Sequence, residues 1–149
     1  MTQIQPSYAT FEQAKKLKKI GFDSYTNIGY SESGKKYYHQ GGQEPVKNGQ
    51  NYYEGRDYQG EPFLCSAPEQ WEVVEWLRIN HGIEIVVIPD SSSQSRLILR
   101  KYTYSIFTPV NGANLHCQIG RDKNKNIVYF INPQEAYSAA FDYILNNLI

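Results

Sequence analysis

Of the 35 Leu, Ile, Val and Phe residues in this 149-residue chain, only 7 precede residue 62. Burial of such side chains is the main favourable term in folding, so the core must be written largely in residues 62–149. The total, 35 of 149 or 23%, stands above the roughly 20% below which disorder is expected, and the length fits one domain over 1–149. Tyrosine is the compensating excess. Residues 1–61 hold 8 of the 13 Tyr, and the stretch from Ser24 to Gly60 alone carries 7 Tyr and 7 of the 11 Gly, against just two aliphatic residues, Ile28 and Val46.

Local signals place the elements. Thr10 with Gln13 reads as a capping box, and Phe11, Ala14 and Leu17 step at helical spacing. Ile20-Gly21 then supplies a stop, so a helix over 11–20 is predicted. Weak β-prone pieces over 24–31 and 35–40, joined by Ser33-Gly34, predict a hairpin. Residues 43–60 show no periodicity, which is long for a compact domain unless the loop is functional or mobile.

Ser66-Ala67-Pro68-Glu69 reads as a second capping box with Pro in the first turn, opening a helix that Gly82 ends. Its apolar surface follows Trp71, Val74 and Leu77, with Val73 and Trp76 beside them, and Glu69, Glu72 and Glu75 fall on its outer face. A buried strand over 83–88, a second over 96–108 with a bulge near Arg100-Lys101, a third in which Leu115, Cys117 and Ile119 point inward, and a fourth over 127–131 follow. Asn111-Gly112 is a strong hairpin turn between the second and third. Asn132-Pro133-Gln134-Glu135 caps a closing amphipathic helix through Ala136, Ala140, Phe141, Ile144, Leu145 and Leu148.

The order predicts an α+β fold: an antiparallel meander sheet of about four to six strands, with three helices packed mainly on one face. Within it, residues 10–61 form the N-terminal helix and Tyr/Gly-rich strands and loop. Residues 62–149 form the helix, meander and C-terminal helix.

The formal net charge is 15 − 15 = 0, which argues against strong binding to duplex nucleic acid or an anionic membrane. The longest aliphatic string, Ile85-Val86-Val87-Ile88, is far short of the roughly 18 residues of a membrane span, and no leader pattern opens the chain. Two distant cysteines, Cys65 and Cys117, fit buried thiols in a reducing compartment better than a disulfide.

Ser66-Ala67-Pro68-Glu69-Gln70-Trp71 running into Glu75-Trp76-Leu77-Arg78 and His81-Gly82-Ile83, with Ala14-Lys15-Lys16-Leu17 and Gly21-Phe22-Asp23, resembles small uncharacterised proteins of phages and prophages of gut bacteria. The resemblance covers about two thirds of the chain and departs from it at residues 43–60. It implies a phage-encoded accessory protein acting in the bacterial host cytoplasm, and it transfers no catalytic residue.

The residue pattern offers no metal site: His39, Cys65, His81, His116 and Cys117 are the soft ligands, and the one adjacent pair, His116 and Cys117, would point to opposite faces of a strand. The same geometry disfavours Cys117 as a nucleophile served by His116. Gly41-Gly42 lacks the Lys-Ser or Lys-Thr ending of a phosphate loop. The Lys15, Lys16, Lys18 and Lys19 strip reads as a solvated face. No cofactor and no catalytic activity are expected.

The Tyr-rich segment is the candidate site. Tyr37, Tyr38, His39, Tyr52, Tyr53, Arg56 and Tyr58 combine flat rings with cations, as surfaces that stack bases or anchor a protein do. Equally, these rings would cover a sheet edge in place of missing aliphatic residues. Three functional readings follow: a non-enzymatic binding module contacting a host protein through this surface; alternatively a nucleotide or small-molecule binder that sequesters a defence signal; and third, behind both, a small enzyme with no recognisable motif. Homodimerisation through the closing helix or the two Trp of the central helix is a further expectation.

Overall fold

The computed structural model describes residues 5–38, 63–90, 101–110 and 114–149. Its elements run α1 (Phe11–Lys19), β1 (Ile28–Ser31), β2 (Lys36–Tyr38), β3 (Phe63–Ser66), α2 (Gln70–His81), β4 (Glu84–Pro89), β5 (Tyr102–Val110), β6 (Asn114–Ile119) and α3 (Pro133–Asn147). This is an α+β architecture with antiparallel sheets, as the pattern predicts. The strands do not form one meander, however. They divide into two three-stranded sheets, β2-β1-β3 and β4-β5-β6, and α1 packs on β3 while α3 packs on β5 and β4, so the helices do not share a face of one sheet. The chain falls into two compact units that part between Val73 and Val74, inside α2.

In the N-terminal unit the predicted cap forms in full. Thr10 N–H donates to Gln13 Oε1 at 3.0 Å and Gln13 N–H to Thr10 Oγ1 at 3.3 Å. At the other end Gly21 takes φ +92°. Gly21 N–H donates to the Lys18 carbonyl and Phe22 N–H to that of Leu17, the paired bonds of a Schellman stop. The Ser33-Gly34 hairpin also forms, pairing Gly29 with Tyr37 and Ile28 with Tyr38.

Here tyrosine does the work of aliphatic residues. Tyr30 is buried with Ala14, Ile28, Cys65 and Ala67, and Tyr8 and Phe11 pack against that cluster. Its ring lies 5.3 Å from that of Phe11, and its hydroxyl donates to the Ala9 carbonyl at 2.8 Å.

The cap of α2 lies one turn later than the sequence suggests. Ala67 N–H donates to the Ile28 carbonyl at 2.8 Å and Ser66 pairs with Gly29, so strand pairing claims Ser66 before it can cap. Glu72 takes that role instead: its Oε2 accepts the Glu69 N–H at 2.6 Å. Val73, Trp76 and Leu77 are buried, whereas Trp71 is 65% exposed. Gly82, at φ +65°, ends the helix.

In the C-terminal unit β4 pairs with β5 over six residues. Ile85, Tyr104 and Ile106 turn to one face and are buried, as are Ala136, Ala140, Phe141, Ile144 and Leu145 of α3. That helix opens as predicted, with Asn132 Oδ1 accepting the Glu135 N–H at 2.8 Å. Three expectations need correction. Strand β4 alternates instead of being largely buried: Ile85 turns inward, while Val86 and Ile88, on the other face, are each 42% exposed.

Strand β6 presents the opposite parity. Val110 pairs with Asn114, leaving three residues between them where an Asn-Gly turn alone supplies two. That one-residue shift sets Cys117 opposite Phe107 and Gln118 opposite Ile106, so Cys117 lies on the face away from Ile106. It is exposed; only Cys65 is the buried thiol expected of both.

The stretch 127–131 makes two isolated bridges, Arg121 to Ile127 and Tyr102 to Phe130, instead of a fourth strand. Its two ends pair with different partners, so no continuous ladder forms. The bulge predicted near Arg100-Lys101 lies at the border of the described residues, and its Arg100 half lies outside them.

Candidate functional site

Of the residues that the sequence nominates, Tyr37 and Tyr38 lie in β2, at the edge of the first sheet. His39, Tyr52, Tyr53, Arg56 and Tyr58 lie outside the described residues. A cavity formed by described residues lies elsewhere, in the C-terminal unit, and sequence reasoning did not single it out.

This pocket encloses about 220 Å³ and is lined by Tyr104, Cys117, Gln118, Ile119, Gly120, Arg121 and Tyr143. Strand β5 supplies Tyr104, the end of β6 and the turn after it supply 117–121, and α3 supplies Tyr143. The fit depends on Gly120. A Cβ there would stand 2.6 Å from Tyr104 Cε1 and 2.7 Å from Cζ, so only a residue without a side chain lets the phenol ring lie this close. Gly120 N–H donates to the Tyr104 carbonyl at 3.0 Å, and the Gly120 carbonyl accepts from Val128 N–H at 3.1 Å. The backbone is thereby held on both sides. A glycine at the end of an alternating strand was the one signal in the sequence for such a close approach.

The turn after β6 determines the charge of the pocket. Asp122 accepts from the backbone N–H groups of Asn126 at 2.9 Å and Asn124 at 2.8 Å. Those bonds, led by the one from Asn126, hold its carboxyl below the usual carboxylate range. Its charge is directed into its own turn, while Arg121 Nη1 donates to the Lys125 carbonyl at 2.6 Å. Among the described residues no carboxylate lies within ion-pair reach of Arg121, and its Nε and Nη2 have no protein acceptor. The hydroxyls of Tyr104 and Tyr143 and the Gln118 amide also find no hydrogen-bond partner there. Burial, followed by the charges of Tyr143 and Asp142, pushes the Tyr104 phenol above its ordinary value, so at neutral pH it is a donor.

Other nominated groups serve the fold. Lys15 pairs with Glu12 at 2.7 Å and sits 4.5 Å above the Phe11 ring, and Lys18 donates to the Leu64 carbonyl. The buried Cys65 thiol is pushed up to about 11, against the opposing pull of Lys18 and Lys15. Glu69 accepts from the Trp71 indole N–H at 2.7 Å. Glu72 is raised by burial, with its bond to the Glu69 N–H acting the other way, and Glu75 pairs with Arg78. His81 lies against Trp76, with ring centroids 4.8 Å apart.

Among the described residues, no three His, Cys, Asp or Glu side chains come together as metal ligands would, and no helix is long and apolar enough to cross a membrane. Compared with protein-family models, with curated proteins and with solved structures, the chain matches none of them.

Proposed function

We propose that this protein is a non-enzymatic binding module whose ligand is a small molecule held in the Tyr104–Tyr143–Arg121 pocket. The observation that carries this reading is the convergence on one cavity of about 220 Å³ of the Tyr104 and Tyr143 hydroxyls, the Gln118 amide and the Arg121 guanidinium, which keeps two of its nitrogens without a protein acceptor among the described residues. Polar groups that converge on a cavity and are left to solvent suit an outside partner. Size narrows the choice. An engineered cavity of about 150 Å³ holds benzene, and drug-sized ligands need about 300 Å³ or more. A single ring with a small polar substituent fits; a whole nucleotide does not. This favours the small-molecule reading over sequestration of a nucleotide signal.

Chemical-shift mapping with a library of single-ring compounds tests it. Binders should perturb the amides of 117–121 and 143, and Gln118→Trp, which puts a large side chain on the wall residue that shares the face of Ile106 and Tyr104, should abolish those shifts. Binders that map elsewhere, or that survive the substitution, would refute the assignment.

A second reading is supported by the position of β2. Tyr37 and Tyr38 occupy an edge strand, where backbone groups are open to pairing. On this reading a phage or prophage accessory protein in the host cytoplasm engages a host protein through the surface of Tyr37, Tyr38, His39, Tyr52, Tyr53, Arg56 and Tyr58. Pull-down from host lysate should return a stoichiometric partner that the stably folded Tyr52→Ala, Tyr53→Ala, Tyr58→Ala variant loses; retention would sink it.

A further inference from the structure

We infer that the ligand of the pocket is a ring-sized organic anion, whose carboxylate or comparable acid group meets Arg121 while its ring occupies the space beside Tyr104, Ile119 and Tyr143. The inference rests on the small-molecule reading of the same pocket and adds the charge of the ligand. Among the described residues, Arg121 is the only charged side chain in the lining. Its guanidinium is anchored at one end, through Nη1 to the Lys125 carbonyl, which leaves Nε and Nη2 on the other edge of a rigid fork suited to a planar oxyanion.

The neighbouring acid that would otherwise neutralise it, Asp122, is committed to the amides of Asn124 and Asn126. Asp142 acts on Tyr104 but does not line the cavity. The hydroxyls of Tyr104 and Tyr143 and the Gln118 amide can each donate a hydrogen bond to an anion held by Arg121. Among the described residues, a cation would find no carboxylate in the wall. The volume beyond that of a benzene-sized body, about 70 Å³, is enough for one acid group.

Three probes of nearly equal shape separate charge from size: benzoate, benzamide and benzamidine, titrated into the full chain while the amides of 117–121 are followed. Benzoate should bind with a dissociation constant roughly tenfold or more below that of benzamide, and benzamidine should not bind. Arg121→Gln should bring benzoate to the level of benzamide, and Arg121→Lys should keep part of the preference. Equal affinity for benzoate and benzamide, or a preference that survives Arg121→Gln, would overturn the anion assignment and leave the pocket reading standing. Failure of all three probes to bind would overturn both.

Discussion

The phenol ring of Tyr104 occupies the place where any side chain on Gly120 would stand, 2.6 Å from Cε1 to the position of a Cβ. The φ of Gly120 is not in the left-handed region, so the requirement for glycine here is contact and not backbone strain. Gly120→Ala should therefore cost about 1–3 kcal/mol through overpacking. Denaturant unfolding measures this. In a background of Tyr104→Ala the same substitution should cost far less, because the two changes share one contact. Additive losses would show that the glycine serves something other than the ring.

The two thiols should behave differently. Native protein should react with a thiol reagent at Cys117 alone, and at both cysteines once unfolded, since Cys65 is buried and Cys117 exposed.

Burial of Cys65 also predicts a pH dependence. Its thiol is raised from 9.0 to about 11 in the folded chain. The stability linked to it is fully present below pH 9, where both states are protonated, and is lost as pH rises from 9 through 11, because the unfolded thiol ionises first. That loss amounts to as much as about 2 kcal/mol. Denaturation midpoints from pH 8 to 11 should fall, and Cys65→Ala should flatten the decline. Tyr30 and Tyr104, both raised by burial, add to the fall in the same direction, so some slope should persist in the variant.

Glu72, and not Ser66, should control the start of α2. Removing its carboxylate by Glu72→Ala leaves the Glu69 N–H without its 2.6 Å acceptor and should cost about 1 kcal/mol, comparable to Thr10→Ala at the start of α1. Equilibrium unfolding of the two single variants checks both values.

Register offers a sharper test. Deleting Ala113 leaves two residues between the paired Val110 and Asn114. The shortened connection is the length of an Asn-Gly hairpin turn, so Val110 and Asn114 should stay paired and Cys117 should stay opposite Phe107. The measurable outcome is a thiol that still reacts in the native state. Loss of that reactivity would show that the three-residue connection itself holds the register.

These cases explain how far the sequence could be read. Thr10 with Gln13, Ile20-Gly21, Ser33-Gly34 and Asn132-Pro133-Glu135 were legible because each acts on backbone groups within three or four residues. Ser66 misled because a partner far away in sequence, β1, claims it first. The parity of β6 misled because the alternation of Leu115, Cys117 and Ile119 contains no statement of its partner's phase. The pocket was illegible for the same reason: Tyr104, Arg121 and Tyr143 come together only through sheet register and helix packing. Charge balance concealed it further, since Asp122 cancels Arg121 in any count but not in space.

The passage of the unit boundary through α2, between Val73 and Val74, gives each unit one tryptophan. Trp71, 65% exposed, belongs to the first, and Trp76, 8% exposed, to the second. Their surroundings make them spectrally distinct, one emitting from near-aqueous surroundings and open to collisional quenchers, the other shielded beside His81. The chain thus carries its own pair of fluorophores, and single-tryptophan versions can follow the melting of either half without an added label.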